Sequence, residues 1–200
     1  MKKEIHRHHA TLFGLLLTAS MLCCGCGDPM TETRNINDTP VAIKPVSDSD
    51  ILQDESIGGI KMGSTETEVG LAIKRNKLGE PSKGKEWLEE ATGVYGQTWT
   101  YAESGLSLDM SSEEKGGKKS VGRIILTAPS KMKNSLGIGI GSKKADVVEA
   151  YANYKSNPEE GEYFSDGDGS RYLVGSIYGG MIFTFEEGKV SKIFLGAASE

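Results

Sequence analysis

The clearest pattern along the chain is an alternation of apolar and polar positions. Leu106, Leu108 and Met110 stand two apart, as do Met181, Phe183 and Phe185. A period of two sends successive side chains to opposite sheet faces, so each run predicts a half-buried antiparallel strand. Gln97–Tyr101 and Val121–Thr127 flank the first run, and Tyr172–Ile177 and Val190–Leu195 flank the second. Two groups of three strands follow. Glu187-Gly188-Lys189 predicts a tight turn in the second group, and the charged stretch 113–119 predicts a longer loop at the matching place in the first. Ahead of each group the period lengthens. Val69, Ala72 and Ile73 mark one helix, and Val147, Ala150, Tyr151 and Tyr154 fall at i, i+3, i+4 and i+7 of another. Ser64 and Ser142 suit the two N-caps, with Thr65 and Glu68 adding a partial capping box. Gly79-Glu80-Pro81 and Asn157-Pro158 are expected to end the helices, because proline cannot continue one.

The two groups repeat each other. GIKMGSTETEVGLAIKRN from Gly59 aligns without a gap with GIGIGSKKADVVEAYANY from Gly137. Gly63 meets Gly141, Ser64 meets Ser142, Glu68 meets Asp146 and Ala72 meets Ala150. Further on, Gly105-Leu-Ser-Leu-Asp-Met answers Gly180-Met-Ile-Phe-Thr-Phe, and Val121-Gly-Arg-Ile-Ile-Leu answers Val190-Ser-Lys-Ile-Phe-Leu. The expected fold class is α+β: two tandem helix-plus-antiparallel-meander repeats, residues 56–130 and 131–200. They should form one sheet or two abutting sheets, with the helices packed on one face.

The front of the chain reads differently. Lys2, Lys3 and Arg7 precede an apolar run over 10–22 that is too short for the roughly 20 residues a membrane-spanning helix needs. Cys23, Cys24 and Cys26 follow at once. A basic, apolar, cysteine order predicts a signal peptide over residues 1–25. Gly25-Cys26-Gly27 resembles a bacterial lipobox, which implies lipidation of Cys26, with Cys24 as the alternative; a secreted chain without lipid, or a metal-binding cysteine cluster, also fits these residues. Residues 26–55 read as a disordered acidic tether. From residue 27 they hold seven acidic and two basic side chains and Pro29, Pro40 and Pro45. Its coil dimension would be about 30 Å.

Loss of residues 1–25 removes His6, His8 and His9 and every cysteine but the anchor. What remains has no imidazole base, no Ser-His-Asp or Cys-His arrangement and no zinc site of the usual kind. It also loses three of 23 basic and one of 28 acidic side chains, leaving 20 against 27, a net charge of −7. Such a surface repels nucleic acid, and no cofactor is expected.

The repeated G-[IV]-x-[IVM]-G-S-x-x-x-[DE]-V-x-x-A followed by an antiparallel meander resembles small bacterial envelope proteins. These include the barrel-assembly lipoproteins of the BamE/SmpA type and the tandem-repeat β-lactamase inhibitor proteins, and uncharacterised Gram-positive lipoproteins carry it too. The resemblance covers nearly all of residues 57–196, with Asn157-Pro158 departing from the usual helix-ending glycine and proline. It implies a protein-binding module with no chemistry of its own, held outside the cytoplasm on a bacterial membrane, with an envelope or secreted protein as partner.

Several motifs carry other possibilities. Asp166-Gly-Asp-Gly-Ser170 begins like a calcium loop, but Arg171 and Ile177 stand where such a loop needs glycine and glutamate, so a tight turn is expected. Ser130-Lys-Met-Lys133 matches S-x-x-K without its companion motifs. Glu86, Glu89 and Glu90, with Trp87 and Trp99, support an alternative function as a carboxylate-based hydrolase or carbohydrate-binding module. If Ile124, Leu126, Ile193 and Leu195 face the helices, then Arg123, Ile125, Ile182, Lys192 and Phe194 face away. That mixture suits a protein-binding surface, or an apolar patch packed beneath a loop such as 83–97.

Overall fold

The computed structural model describes residues 48–152, 154 and 169–198, all within one unit spanning Val41–Glu200. The leader with Cys24 and Cys26, the tether up to residue 47, Asn157-Pro158 and most of the Asp166–Ser170 turn lie outside the described residues. The fold is α+β, built on an antiparallel sheet of eight strands. They are β1 (Ser82–Lys83), β2 (Trp87–Glu89), β3 (Val94–Tyr101), β4 (Leu106–Ser112), β5 (Ser120–Thr127), β6 (Arg171–Gly175), β7 (Gly180–Glu186) and β8 (Lys189–Gly196). The order across the sheet is β1-β3-β4-β5-β8-β7-β6, with β2 also on β3. The two meanders therefore join through their last strands. Register pairs Ile124 with Leu195, Ile125 with Phe194 and Leu126 with Ile193.

Alternation decides which side chains enter the core. Leu106, Leu108 and Met110 of β4, Ile124 and Leu126 of β5, Met181, Phe183 and Phe185 of β7 and Ile193 and Leu195 of β8 are buried in one cluster. Trp99 and Tyr101 of β3 join them, as do Val69, Ala72 and Ile73 of helix α2 (Glu66–Arg75) and Val147 of α3 (Lys144–Ala150). Tyr151 follows α3, fully buried, with its ring centroid 5.4 Å from that of Phe183.

The turns before α2 and α3 are built alike. Gly63 and Gly141 have φ of 75° and 85°, a conformation that suits glycine because it lacks a Cβ. Gly63 N–H donates to Val121 O at 2.7 Å, and Val121 N–H donates back to Ser64 O at 2.9 Å. Gly141, Val190 and Ser142 make the same pair of bonds at 2.8 and 2.9 Å. The serines do not cap the helices as expected. Ser64 Oγ accepts from Lys61 N–H at 3.1 Å and Ser142 Oγ from Gly139 N–H at 3.1 Å, so each closes the preceding turn instead. The cap of α2 is Thr65, whose Oγ1 accepts from Glu68 N–H at 3.4 Å while Thr65 N–H donates to Glu68 Oε2 at 2.8 Å. The Thr65 N–H bond, together with the Thr65 hydroxyl donating to the same Oε2 at 2.9 Å, holds the Glu68 carboxyl below its ordinary range. Before α3, Lys143 N–H donates to Asp146 Oδ2 at 3.2 Å, and lysine has no acceptor to return the bond.

The end of the expected tether is a helix. α1 (Asp48–Asp54) buries Ile51 completely, and Glu55 just after it is only 2 % exposed. Tyr151 OH donates to Glu55 Oε1 at 2.7 Å, and Ser135 Oγ donates to the other carboxylate oxygen. Asn134 Nδ2 donates to the Tyr151 oxygen at 2.6 Å. A carboxylate taken out of water needs such donors. The polar side chain thus fastens the end of α1 to Ser135 and Tyr151, which follow β5 in the chain.

Candidate binding face

The residues of the central strands that do not enter the core form the other sheet face. Pairing across it lines up Thr100, Ser107, Ile125, Phe194, Ile182 and Leu173 on β3, β4, β5, β8, β7 and β6. One neighbouring row runs Thr127, Lys192, Thr184 and Arg171, and the other begins Thr98, Asp109, Arg123 and continues through Gly196, Gly180 and Gly175. The five residues expected to form a surface, Arg123, Ile125, Ile182, Lys192 and Phe194, are therefore brought together.

They are not equally open. Lys192 is exposed, Ile125 and Phe194 are half-buried, and Ile182 and Leu173 are buried at 8 and 6 % exposure, though neither belongs to the main core cluster. Ile182 is thus a floor residue rather than an exposed contact. Arg123 lies over the Phe194 ring, 5.5 Å from its centroid. The guanidinium also reaches Asp109 Oδ2 at 3.5 Å and donates to Ala197 O at 3.3 Å, while Thr98 Oγ1 donates to Asp109 Oδ1 at 2.7 Å. The glycines at 196, 180 and 175 leave the adjoining row without side chains. The segment expected as a cover runs mostly along the sheet edge instead: residues 83–97 contain the end of β1, β2 and the start of β3, and the Trp87 ring lies over Gly96 rather than over the row of Ile125 and Phe194.

The carbohydrate or hydrolase alternative loses several of its residues to structural roles. Trp99 is 5 % exposed in the core, with its Nε1 donating to Gln97 Oε1 at 3.0 Å and Lys83 Nζ 3.7 Å from its ring centroid. Glu86 accepts from Lys119 Nζ at 2.7 Å and from Gly116 N–H at 3.0 and 3.1 Å. Those bonds hold its carboxyl below the ordinary range and tie down the loop between β4 and β5. Glu89 accepts from Thr92 Oγ1 at 2.9 Å. Ser130 is buried and its Oγ accepts from Met132 N–H at 3.2 Å, which makes the S-x-x-K match a turn.

Burial pushes the Tyr101 hydroxyl up to about 12, helped by the charge of Glu80. Burial first and the Glu55 bond second push Tyr151 upward as well. A hollow of about 520 Å³ lies at the β4–β5 loop among Ser111, Ser112, Glu113, Glu114 and Lys118. A second, of about 920 Å³, lies between Thr127, Ile140, Glu186, Lys189 and Ser191. Both are open grooves. Among the described residues no group of three or more His, Cys, Asp and Glu is placed to hold a metal ion, and no helix is long and apolar enough to cross a membrane.

Comparison with protein-family models, with curated proteins and with solved structures finds no match for this chain. Two features escaped the sequence reading. Glu55 lies in an acidic stretch that resembles a solvated tether, and its partners Ser135 and Tyr151 are 80 and 96 residues away. β2 is exposed throughout and carries no alternation of burial.

Proposed function

We propose that this protein is a lipoprotein, anchored through Cys26 outside the cytoplasm of a bacterial cell, that works by binding another envelope or secreted protein without chemistry of its own. The domain consists of two tandem repeats, 56–130 and 131–200, with α2 and α3 laid on one sheet face and the partner taken on the other. The observation that carries this reading is the row Ile125–Phe194–Ile182, flanked by Arg123 and Lys192, on the face turned away from the core. Apolar and aromatic groups beside an arginine, inside a polar rim, are the composition of protein-binding surfaces. The paired bonds at Gly63–Ser64 and Gly141–Ser142 support the repeat, and so does the direct pairing of the equivalent residues Ile125 and Phe194.

The test is a Lys192→Glu/Phe194→Ala double variant, expressed in the native host and assayed for in-cell crosslinking to a partner. Loss of a discrete crosslinked species from a folded variant supports the reading. A variant that is folded and crosslinks as the wild type does removes this face from consideration. Mass spectrometry of the mature N-terminus tests the anchor separately. A diacylglyceryl thioether on Cys26 is expected, and an unmodified cysteine there counts against it.

A further inference from the structure

The sheet ends on one side at β6, which among the described residues pairs only with β7. Ser176 and Gly179 exchange backbone bonds of 3.5 and 3.3 Å, and Phe185 N–H donates to Ser170 O at 2.7 Å. Those bonds set the phase of the ladder. By antiparallel alternation Tyr172 and Val174 turn their amides toward β7, and Leu173 turns its amide outward. An edge with outward donors and acceptors invites another strand, and folded proteins blunt or cover it. The middle of β6 is shut away from water on both faces: Leu173 and Val174 are 6 and 1 % exposed. Val174 belongs to the core cluster with Ile51 of α1, and α1 lies against β6 and β7. Leu173 is on the opposite face, at the end of the row Ile125, Phe194 and Ile182, and outside that cluster.

We propose that the chain's own arm, Val41–Lys44, docks along β6 as a further strand. The chain that precedes the described residues ends at Asp48, the first residue of α1, so the arm departs from beside this edge. The compact unit begins at Val41, seven residues earlier. Val41-Ala42-Ile43 is also the longest apolar run between Cys26 and α1. Period two sets Val41 and Ile43 on one face of such a strand and Ala42 and Lys44 on the other. With α1 occupying the inner face beside Val174, the two branched side chains take the outer face and cover Leu173. The small Ala42 then turns toward α1. Pro45 has no N–H for a ladder and ends the strand. Residues 45–47 reach about 10 Å, which carries the chain from the sheet plane up to the helix packed on it. Docked in this way, the arm denies the edge to any other chain. It also reduces the free tether to residues 26–40, a coil of about 20 Å. The inference uses neither Phe194 nor Lys192, so it stands independently of the binding face.

Amide hydrogen exchange of the full-length protein, resolved by residue with NMR, tests the proposal. Alternate amides over Val41–Lys44 and the Leu173 amide should all exchange slowly. In Val41→Asp/Ile43→Asp they should lose that protection together, while Leu108 and Ile124 in the middle of the sheet keep wild-type rates. Ile36→Asp, ahead of the compact unit, should leave every one of these rates unchanged. Fast exchange throughout 41–44 in the wild type overturns the proposal. So does a Leu173 amide that stays slow in the double variant, because another stretch of chain then covers the edge. Should the aspartates also loosen Leu108 and Ile124, Val41→Ala/Ile43→Ala is read in their place, with the same outcomes for and against.

Discussion

Glu55 shows how one side chain decides a local structure. Its carboxylate is out of water, and the hydroxyls of Tyr151 and Ser135 supply its bonds. Tyr151→Phe keeps the ring against Phe183 and removes one donor, so the cost is that of an underbonded buried acceptor, about 1–3 kcal/mol. Denaturant unfolding measures it, and a loss near zero would mean that water replaces the hydroxyl. Phe194 is only half-buried, so Phe194→Ala should cost about 1–2 kcal/mol, between the values for surface and core positions. Two groups give opposite pH responses. Glu86 has a lowered carboxyl, so its ion pair stabilises the fold above the ordinary carboxylate range and is lost as pH falls through the folded value. Acid unfolding of Glu86→Gln should therefore show a shallower pH dependence than wild type. Tyr101 has a raised hydroxyl, so its contribution is complete below pH 10.0 and is lost as pH rises through about 12. Tyr101→Phe should flatten the alkaline limb of the stability curve, and an unchanged limb would show that Tyr101 does not control it.

Among the elements, those with internal periodicity were legible. β4 and β7 alternate within themselves, and β3, β5, β6 and β8 lie within a few residues of their expected bounds. The buried face of α2 fell at Val69, Ala72 and Ile73 as expected, but α3 is shorter than its pattern suggested: it ends at Ala150 with Val147 buried, and Tyr151 and Tyr154 lie beyond it. The first turns were harder, because Ser64 and Thr65 are both good caps and only the chain direction after Gly63 selects the second. β1 and β2 were illegible for a different reason: their pairing with β3 is all that makes them strands, and nothing within them is buried. Among the described side chains of α1 only Ile51 is fully buried, in an acidic run, and its docking depends on partners from the other end of the domain. Ile51→Ala should cost about 2–5 kcal/mol, as for other large-to-small changes in a closed core. Hydrogen exchange at Glu55 and Tyr151 should quicken in that variant. Unaltered exchange would mean that α1 is a passenger on the fold.

Over the whole molecule, two antiparallel meanders meet between β5 and β8, and the duplication proposed from residues 59–76 and 137–154 would relate one to the other. Equivalent positions Ile125 and Phe194 face each other there, which is what a two-fold relation between the proposed repeats requires. The same relation places an isoleucine and a phenylalanine side by side at the centre of the outer face, flanked by Arg123 and Lys192. The most direct test of the central claim is a photo-crosslinking amino acid at Lys192, compared with one at the exposed Leu71 of α2, in cells of the native host. The account predicts one discrete protein adduct from position 192 and none from position 71. Adducts from position 71 with none from 192 would contradict it.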